Sequence, residues 1–141
     1  MVRTGSGSSR DAGSAILGAK FWKPGTKLSG VYVRTFPTKL DNGETGMCHQ
    51  FICADPPILK VPIDERGKVN WENGRETDID KFAIGALTGL EMAIDQVKEN
   101  HEWFHDFQIR DLVTIECIGT IHSDKRGYSD MVEFRVAVQR D

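Results

Sequence analysis

Five short runs rich in β-branched and aromatic residues constrain the fold of this chain more than any other feature of its sequence. Residues that favour turns, such as Gly, Pro, Asn and Asp, lie between them. The last two runs alternate apolar and polar side chains, as half-buried strands do. The runs predict strands over residues 27–36, 47–54, 58–63, 111–121 and 131–138.

The first predicted strand contains Gly30 in its interior. A glycine at such a position indicates a β-bulge or a tight bend, and a bulge changes which side chains face the core. We expect Leu28 to face inward before the bend and Val31 and Val33 to do so after it. The outer face would then be shared by Tyr32, Arg34 and Phe36.

One helical segment separates the third and fourth strands. Apolar residues recur at helical spacing from Ile79 to Val97, and Thr77 with Asp80 matches a helix-capping pattern. The sequence therefore predicts a helix from about residue 78 to at least residue 99. The element order is β-β-β-α-β-β, which is a mainly β fold with one helix.

The N-terminal segment differs from the rest in composition. Residues 1–18 include the stretch TGSGSSRDAGSA, which has too little apolar surface to fold alone. We predict a flexible Gly/Ser-rich lead over residues 1–18 and one folded domain over residues 19–141, a length that suffices for a core of its own.

Charge and cysteine content limit the classes of partner and compartment. The net charge is −3, but residues 1–50 hold seven basic and three acidic residues, a balance of +4. This uneven charge distribution permits a local binding site for a polyanion in the basic region. A chance charge gradient on a solvated surface explains the distribution equally well. No apolar run is long enough to span a membrane, and we expect no secretory signal. Three cysteines, an odd number, indicate reduced thiols and a cytoplasmic location. Cys48 and Cys53 are predicted on opposite faces of a strand, which argues against a shared metal site.

The stretch HEWFH, residues 101–105, matches the H-E-x-x-H pattern of zinc proteases. On a helix, His101 and His105 would share a face and hold one zinc ion, with Glu102 as general base. A catalytic zinc needs a third ligand, and nothing singles one out among Asp111, Glu116, His122 and Asp124. The alternative is a polar helix end whose aromatic residues pack on the core. We therefore expect no metal, no cofactor and no catalysis, and keep a small zinc hydrolase as a minor alternative.

The element order resembles that of the OB-fold, a small five-stranded Greek-key barrel with a helix between its third and fourth strands. The chain also resembles the OB-fold single-stranded-DNA-binding proteins of phages and bacteria. The shared features are the turn Lys23-Pro24-Gly25 before a strand with Gly30, the late helix, the strand VTIECIGT and the loop DKRGY. The resemblance covers residues 20–139. The chain ends in AVQRD and lacks the acidic tail by which many bacterial members recruit partners.

This resemblance implies sequence-tolerant binding of single-stranded DNA, favoured over RNA, during replication or recombination. Single strands are held by exposed aromatic rings that stack on bases and by basic residues that contact phosphates. The candidate stacking residues are Trp22, Tyr32, Phe36 and Tyr128. The candidate phosphate contacts are Lys23, Lys27, Arg34, Lys39, Lys60, Lys125 and Arg126. Alternatively, Trp22 and Phe36 close the ends of the barrel and the lysines serve solubility.

Two further expectations concern partners. The chain is a possible homo-oligomer and has no membrane partner. The main alternative function is a non-enzymatic barrel that binds another protein, which would suit the acidic balance of the whole chain.

Overall fold

The computed structural model describes residues 15–39, 43–85, 87–122 and 131–141. Within these ranges the chain is mainly β with a single helix, so the predicted fold class is confirmed at that level. The strands are β1 (Ala15–Ile16), β2 (Lys27–Lys39), β3 (Thr45–Asp55), β4 (Leu59–Ile63), β5 (Arg75–Ile79), β6 (Lys81–Ile84), β7 (Leu112–Ile121) and β8 (Met131–Gln139), and the helix is α1 (Thr88–Asn100).

Six of the strands form one sheet in the order β1-β6-β3-β2-β7-β8. All neighbours in it are antiparallel except β1, which runs parallel to β6. The long strand β2 pairs with β3 on one side and with β7 on the other. Among the described strands the sheet is open, with β1 and β8 at its edges, and is not closed into a barrel.

The third strand of the sheet is not the one that the sequence predicts. The run predicted over residues 58–63 forms β4, which pairs with β5 in a separate two-stranded sheet. The strand that follows β3 in the main sheet is β6, with Phe82 opposite Phe51. The β4–β5 hairpin is thus inserted between two strands of the main sheet.

The predicted helix begins about ten residues too early. Residues 75–79 and 81–84 are strands, and α1 begins at Thr88 without a side-chain cap. Phe82, Ala83 and Ile84 are all buried, because both faces of β6 are covered. A fully buried short strand and a helix cannot be told apart by apolar spacing alone. No helix of the described ranges is long and apolar enough to cross a membrane.

Two bulges in β2 decide which side chains face the core. One lies between Ser29 and Gly30, and a Cβ at Gly30 would come within 2.7 Å of the Cβ of Phe51. The second lies between Tyr32 and Arg34 and leaves Val33 without a partner in β3. Tyr32 consequently packs against the main core, so its predicted place on the outer face is wrong.

The main core lies between the six-stranded sheet and α1, and it includes Phe51, Leu90, Ile115 and Phe134. A smaller cluster of Phe36, Cys48 and Ala83 covers the other face of the sheet, whereas Cys53 belongs to the main core. The prediction that Cys48 and Cys53 lie on opposite faces of one strand is therefore confirmed.

The chain enters this core earlier than the predicted boundary at residue 19. Ala15 and Ile16 pair with Phe82 and Ala83 through β1, and Leu17 is fully buried. The last residues of the predicted flexible lead are thus part of the folded domain, because they pair with β6 and bury Ala15 and Leu17 in the core. Residues 1–14 lie outside the described residues.

Candidate nucleic-acid interface

Two of the predicted phosphate contacts meet in one open groove of about 660 Å³. Lys23 and Lys60 line it together with two aromatic residues and a third lysine. The full lining is Ala19, Lys20, Phe21, Lys23, Lys60 and Trp71, and we call this surface the basic groove. It combines positive charge with exposed aromatic surface, which are the two requirements for holding a single strand.

One wall of the basic groove is a tight turn that leads into β2. The backbone N–H of Phe21 donates to the carbonyl of Gly18 at 3.0 Å, and that of Thr26 donates to Lys23 at 2.9 Å. Gly25 has a φ of 96°, a conformation that favours glycine, and its N–H donates to the carbonyl of Cys117 at 2.8 Å. These bonds fix Lys23 and Phe21 beside the sheet.

The opposite wall is the connector between β4 and β5, which carries Trp71. The side-chain oxygen of Asn70 accepts hydrogen bonds from the backbone N–H groups of Glu72 and Asn73 at 3.1 and 3.0 Å. The N–H of Gly74 donates to the carbonyl of Asn70 at 2.8 Å. The backbone of this turn is therefore well defined, while the Trp71 side chain remains 43% exposed.

Lys60 points outward from β4 because its neighbours Leu59 and Val61 are buried. Its ammonium lies 3.1 Å from the carboxylate of Asp78 on β5, and this hydrogen bond raises the pKa of Lys60. Both side chains are exposed. No acidic group of the described residues lies within ion-pair distance of Lys20 or Lys23, so the charges of these two lysines face the solvent.

Of the predicted stacking residues, Trp22 lies in the core and Tyr32 packs against it. Trp22 is 2% exposed, its indole N–H donates to the carbonyl of Leu17 at 3.3 Å, and its ring meets Phe134 edge-on. The predicted stacking of Trp22 requires an exposed ring face that this position does not offer. The Tyr32 ring packs on Phe51 and Phe107, which leaves it half-buried.

The remaining predicted residues that the structure describes do not line the basic groove. Phe36 is 8% exposed and lies beneath the guanidinium of Arg34, 4.8 Å from the ring centre. Arg34 donates from Nε to the side-chain oxygen of Gln50 at 2.9 Å. Lys27 and Lys39 are exposed at opposite ends of β2. Lys125, Arg126 and Tyr128 lie outside the described residues.

The HEWFH stretch does not lie on a helix. The helix α1 ends at Asn100, and His101 already has an extended backbone, with φ −137° and ψ 108°. The argument that places His101 and His105 on one helical face therefore fails. No group of three or more His, Cys, Asp or Glu residues in the described part of the chain is arranged to hold a metal ion.

Asp111, one of the conceivable third ligands, is instead held by Arg140. The guanidinium donates to both carboxylate oxygens at 2.8 Å, and the backbone N–H of Gln108 donates to one of them at 2.8 Å. The same guanidinium also donates to the backbone carbonyls of Trp103 and Asp106. Hydrogen bonding to Arg140 lowers the pKa of Asp111. This arrangement ties the HEWFH stretch to the end of β8.

A second polar cluster surrounds His49 in β3. Its Nδ1 lies 2.9 Å from the hydroxyl of Thr35, which in turn lies 2.6 Å from the hydroxyl of Tyr32. Its Nε2 is buried without a hydrogen-bond partner and lies 3.7 Å from a carboxylate oxygen of Glu91. Burial lowers the pKa of His49, against the opposing effects of Glu91 and Asp106. The cluster joins β2, β3 and α1.

Sequence reasoning missed the other basic residue and both aromatic residues of the basic groove, which are Lys20, Phe21 and Trp71. The stretch KFWK, residues 20–23, interleaves basic and aromatic residues and was a usable signal. Trp71 lies in a polar connector whose sequence shows no pattern that marks it as part of a site. Comparison of the chain with protein-family models, with curated proteins and with solved structures finds no match.

Proposed function

We propose that this chain binds single-stranded nucleic acid, with DNA favoured over RNA, without sequence preference and without catalysis. The observation that carries the proposal is the basic groove, where three lysines surround an exposed tryptophan and a phenylalanine. Bases of any identity stack on aromatic rings, and lysines neutralise the phosphates between them.

The order of strands supports an OB-type scaffold for this activity. If β2, β3, β6 and β7 are counted as strands 1 to 4 in chain order, their order across the sheet is 4-1-2-3. The fourth strand, β7, returns to lie beside the first, β2. This is the Greek-key order, and the OB-fold is a partly open Greek-key barrel. The inserted β4–β5 hairpin contributes Lys60 and its connector contributes Trp71, so the insertion forms much of the proposed site.

The charge balance limits the strength of the electrostatic contribution. The chain has a net charge of −3, and Asp78 competes for Lys60. If all three lysines contact phosphates, the slope of log affinity against log salt should be about −2 for a single strand. We therefore expect binding that weakens clearly, but not steeply, with salt.

Fluorescence anisotropy with a labelled oligothymidine at several salt concentrations tests the proposal. The double variant Lys20→Ala/Lys23→Ala should bind more weakly and with a shallower salt slope. The variant Lys98→Ala/Arg135→Ala removes the same charge from exposed positions on α1 and β8, outside the groove, and should retain the wild-type slope. Absence of wild-type binding at low salt would contradict the proposal and favour the protein-binding alternative.

A further inference from the structure

We infer that Phe21 and Trp71 form a slot for one unstacked base of the strand, and that the surrounding lysines hold its neighbouring phosphates. This inference rests on the proposed function and specifies how the strand is held. It concerns two aromatic residues that lie outside the main sheet, one in the turn before β2 and one in the connector between β4 and β5.

The spacing of the two rings is close to that required by an inserted base. Their centroids are 6.4 Å apart and their planes are inclined by 33°. A flat ring between two others needs two layers of van der Waals contact, or about 7 Å in all. Both rings line the basic groove at nearly this distance, so an outward shift of roughly one ångström would admit a base.

The two rings differ in how firmly they are held. Phe21 rests edge-on against Trp22 at 5.1 Å, and Trp22 is itself anchored in the core against Phe134. Trp71 is 43% exposed and contacts no ring other than Phe21 among the described residues. Phe21 is therefore the fixed wall of the slot, and Trp71 is the wall that can move outward when a base enters.

The lysines are distributed on both sides of the slot. Lys20 and Lys23 flank the Phe21 wall along the chain, while Lys60 belongs to the hairpin that carries Trp71. A base between the rings would thus have ammonium groups near the phosphates on its two sides. Every base has a flat face, so the slot is tolerant of sequence, but a paired base within a duplex must first leave its stack.

The decisive comparison uses ligands of equal charge that differ in their bases. Labelled oligothymidine is compared with an abasic sugar-phosphate oligomer of the same length, and thymidine monophosphate and a duplex serve as competitors. Wild-type protein should bind the oligothymidine roughly five-fold or more tightly than the abasic oligomer. Trp71→Ala should abolish this preference without changing the salt slope, whereas Trp71→Phe should retain most of it.

Trp103 provides a matched control, since it is 44% exposed and does not line the basic groove. Trp103→Ala should keep the wild-type preference, and thermal melting of each variant verifies that it is folded. Equal binding of both oligomers by wild type, or an unchanged preference in Trp71→Ala, would overturn the slot and leave single-strand binding intact. Thymidine monophosphate competing as strongly as the oligomer would also overturn it. Binding of neither oligomer would overturn the proposed function and the slot together.

Discussion

Three of the contacts between basic and acidic side chains in the described residues form a series of increasing exposure. Arg140 and Asp111 form two bonds of 2.8 Å around a carboxylate that is 1% exposed. His49 lies 3.7 Å from Glu91, with exposed fractions of 14% and 50%. Lys60 and Asp78 lie 3.1 Å apart with 64% and 59% exposed. Similar contacts between basic and acidic side chains thus occur at three degrees of burial.

The exposure of each pair to solvent determines how much the pair contributes to stability. A buried carboxylate without its partner is costly, so the first pair serves the fold. An exposed pair contributes little to stability because water replaces it at almost no cost. Lys60 can therefore exchange Asp78 for a phosphate, whereas Arg140 cannot leave Asp111. The predictions below test this order from the largest expected effect to the smallest.

Asp111→Ala should lower the free energy of unfolding by about 3 kcal/mol, because it removes the acceptor of the Gln108 N–H and the carboxylate that balances the charge of Arg140. Chemical denaturation measures this change. Asp78→Ala is the matched control at the exposed pair and should leave the unfolding midpoint unchanged. Equal effects of the two substitutions would show that exposure does not separate these pairs.

His49 should make stability depend on pH in the mildly acidic range. Burial lowers its pKa below the ordinary value of 6.5, so the unfolded chain binds the proton more tightly than the folded chain. The contribution of neutral His49 is complete above about pH 6.5 and is lost as the pH falls from there through the lowered pKa.

Denaturation curves collected across this range should show the loss in wild type and a smaller loss in His49→Gln, which cannot take up the proton. His105→Gln alters an exposed histidine and is the matched control, with an expected pH profile like that of wild type. A wild-type profile in His49→Gln would assign the acid sensitivity to groups other than His49.

The sequence predicts the strands of this fold best where alternation is clean and burial is one-sided. The runs predicted over residues 111–121 and 131–138 differ from β7 and β8 by one residue. The helix is overextended because Phe82 and its neighbours fit a helical period as well as a strand that is buried on both faces. Only pairing with β3, a contact distant in sequence, decides between them.

The sequence likewise predicts only part of the basic groove, because the groove depends on contacts between residues that are distant in sequence. Residue type indicates Lys23 and Lys60, but neither composition nor spacing shows that a turn and an inserted hairpin bring them to one groove. Phe21 and Trp22 are adjacent, yet one lines the groove and the other fills the core. A bulge such as the one at Val33 moves the following side chains to the other face of the strand. The local sequence does not show this change, so predictions of which side chains are exposed are reversed.

The smallest expected effect is an increase in affinity. Asp78→Asn removes the carboxylate that competes with phosphate for Lys60 while it preserves the shape of the side chain. Because an exposed ion pair is weak, the affinity for oligothymidine should rise by no more than roughly five-fold at low salt. The gain should disappear in Lys60→Ala/Asp78→Asn relative to Lys60→Ala, since no ammonium is then released.

Asp95→Asn removes an equal charge from the exposed side of α1 and separates this local competition from a general loss of repulsion. An equal gain in Asp95→Asn would mean that net charge, rather than the Lys60–Asp78 pair, sets the affinity of the basic groove.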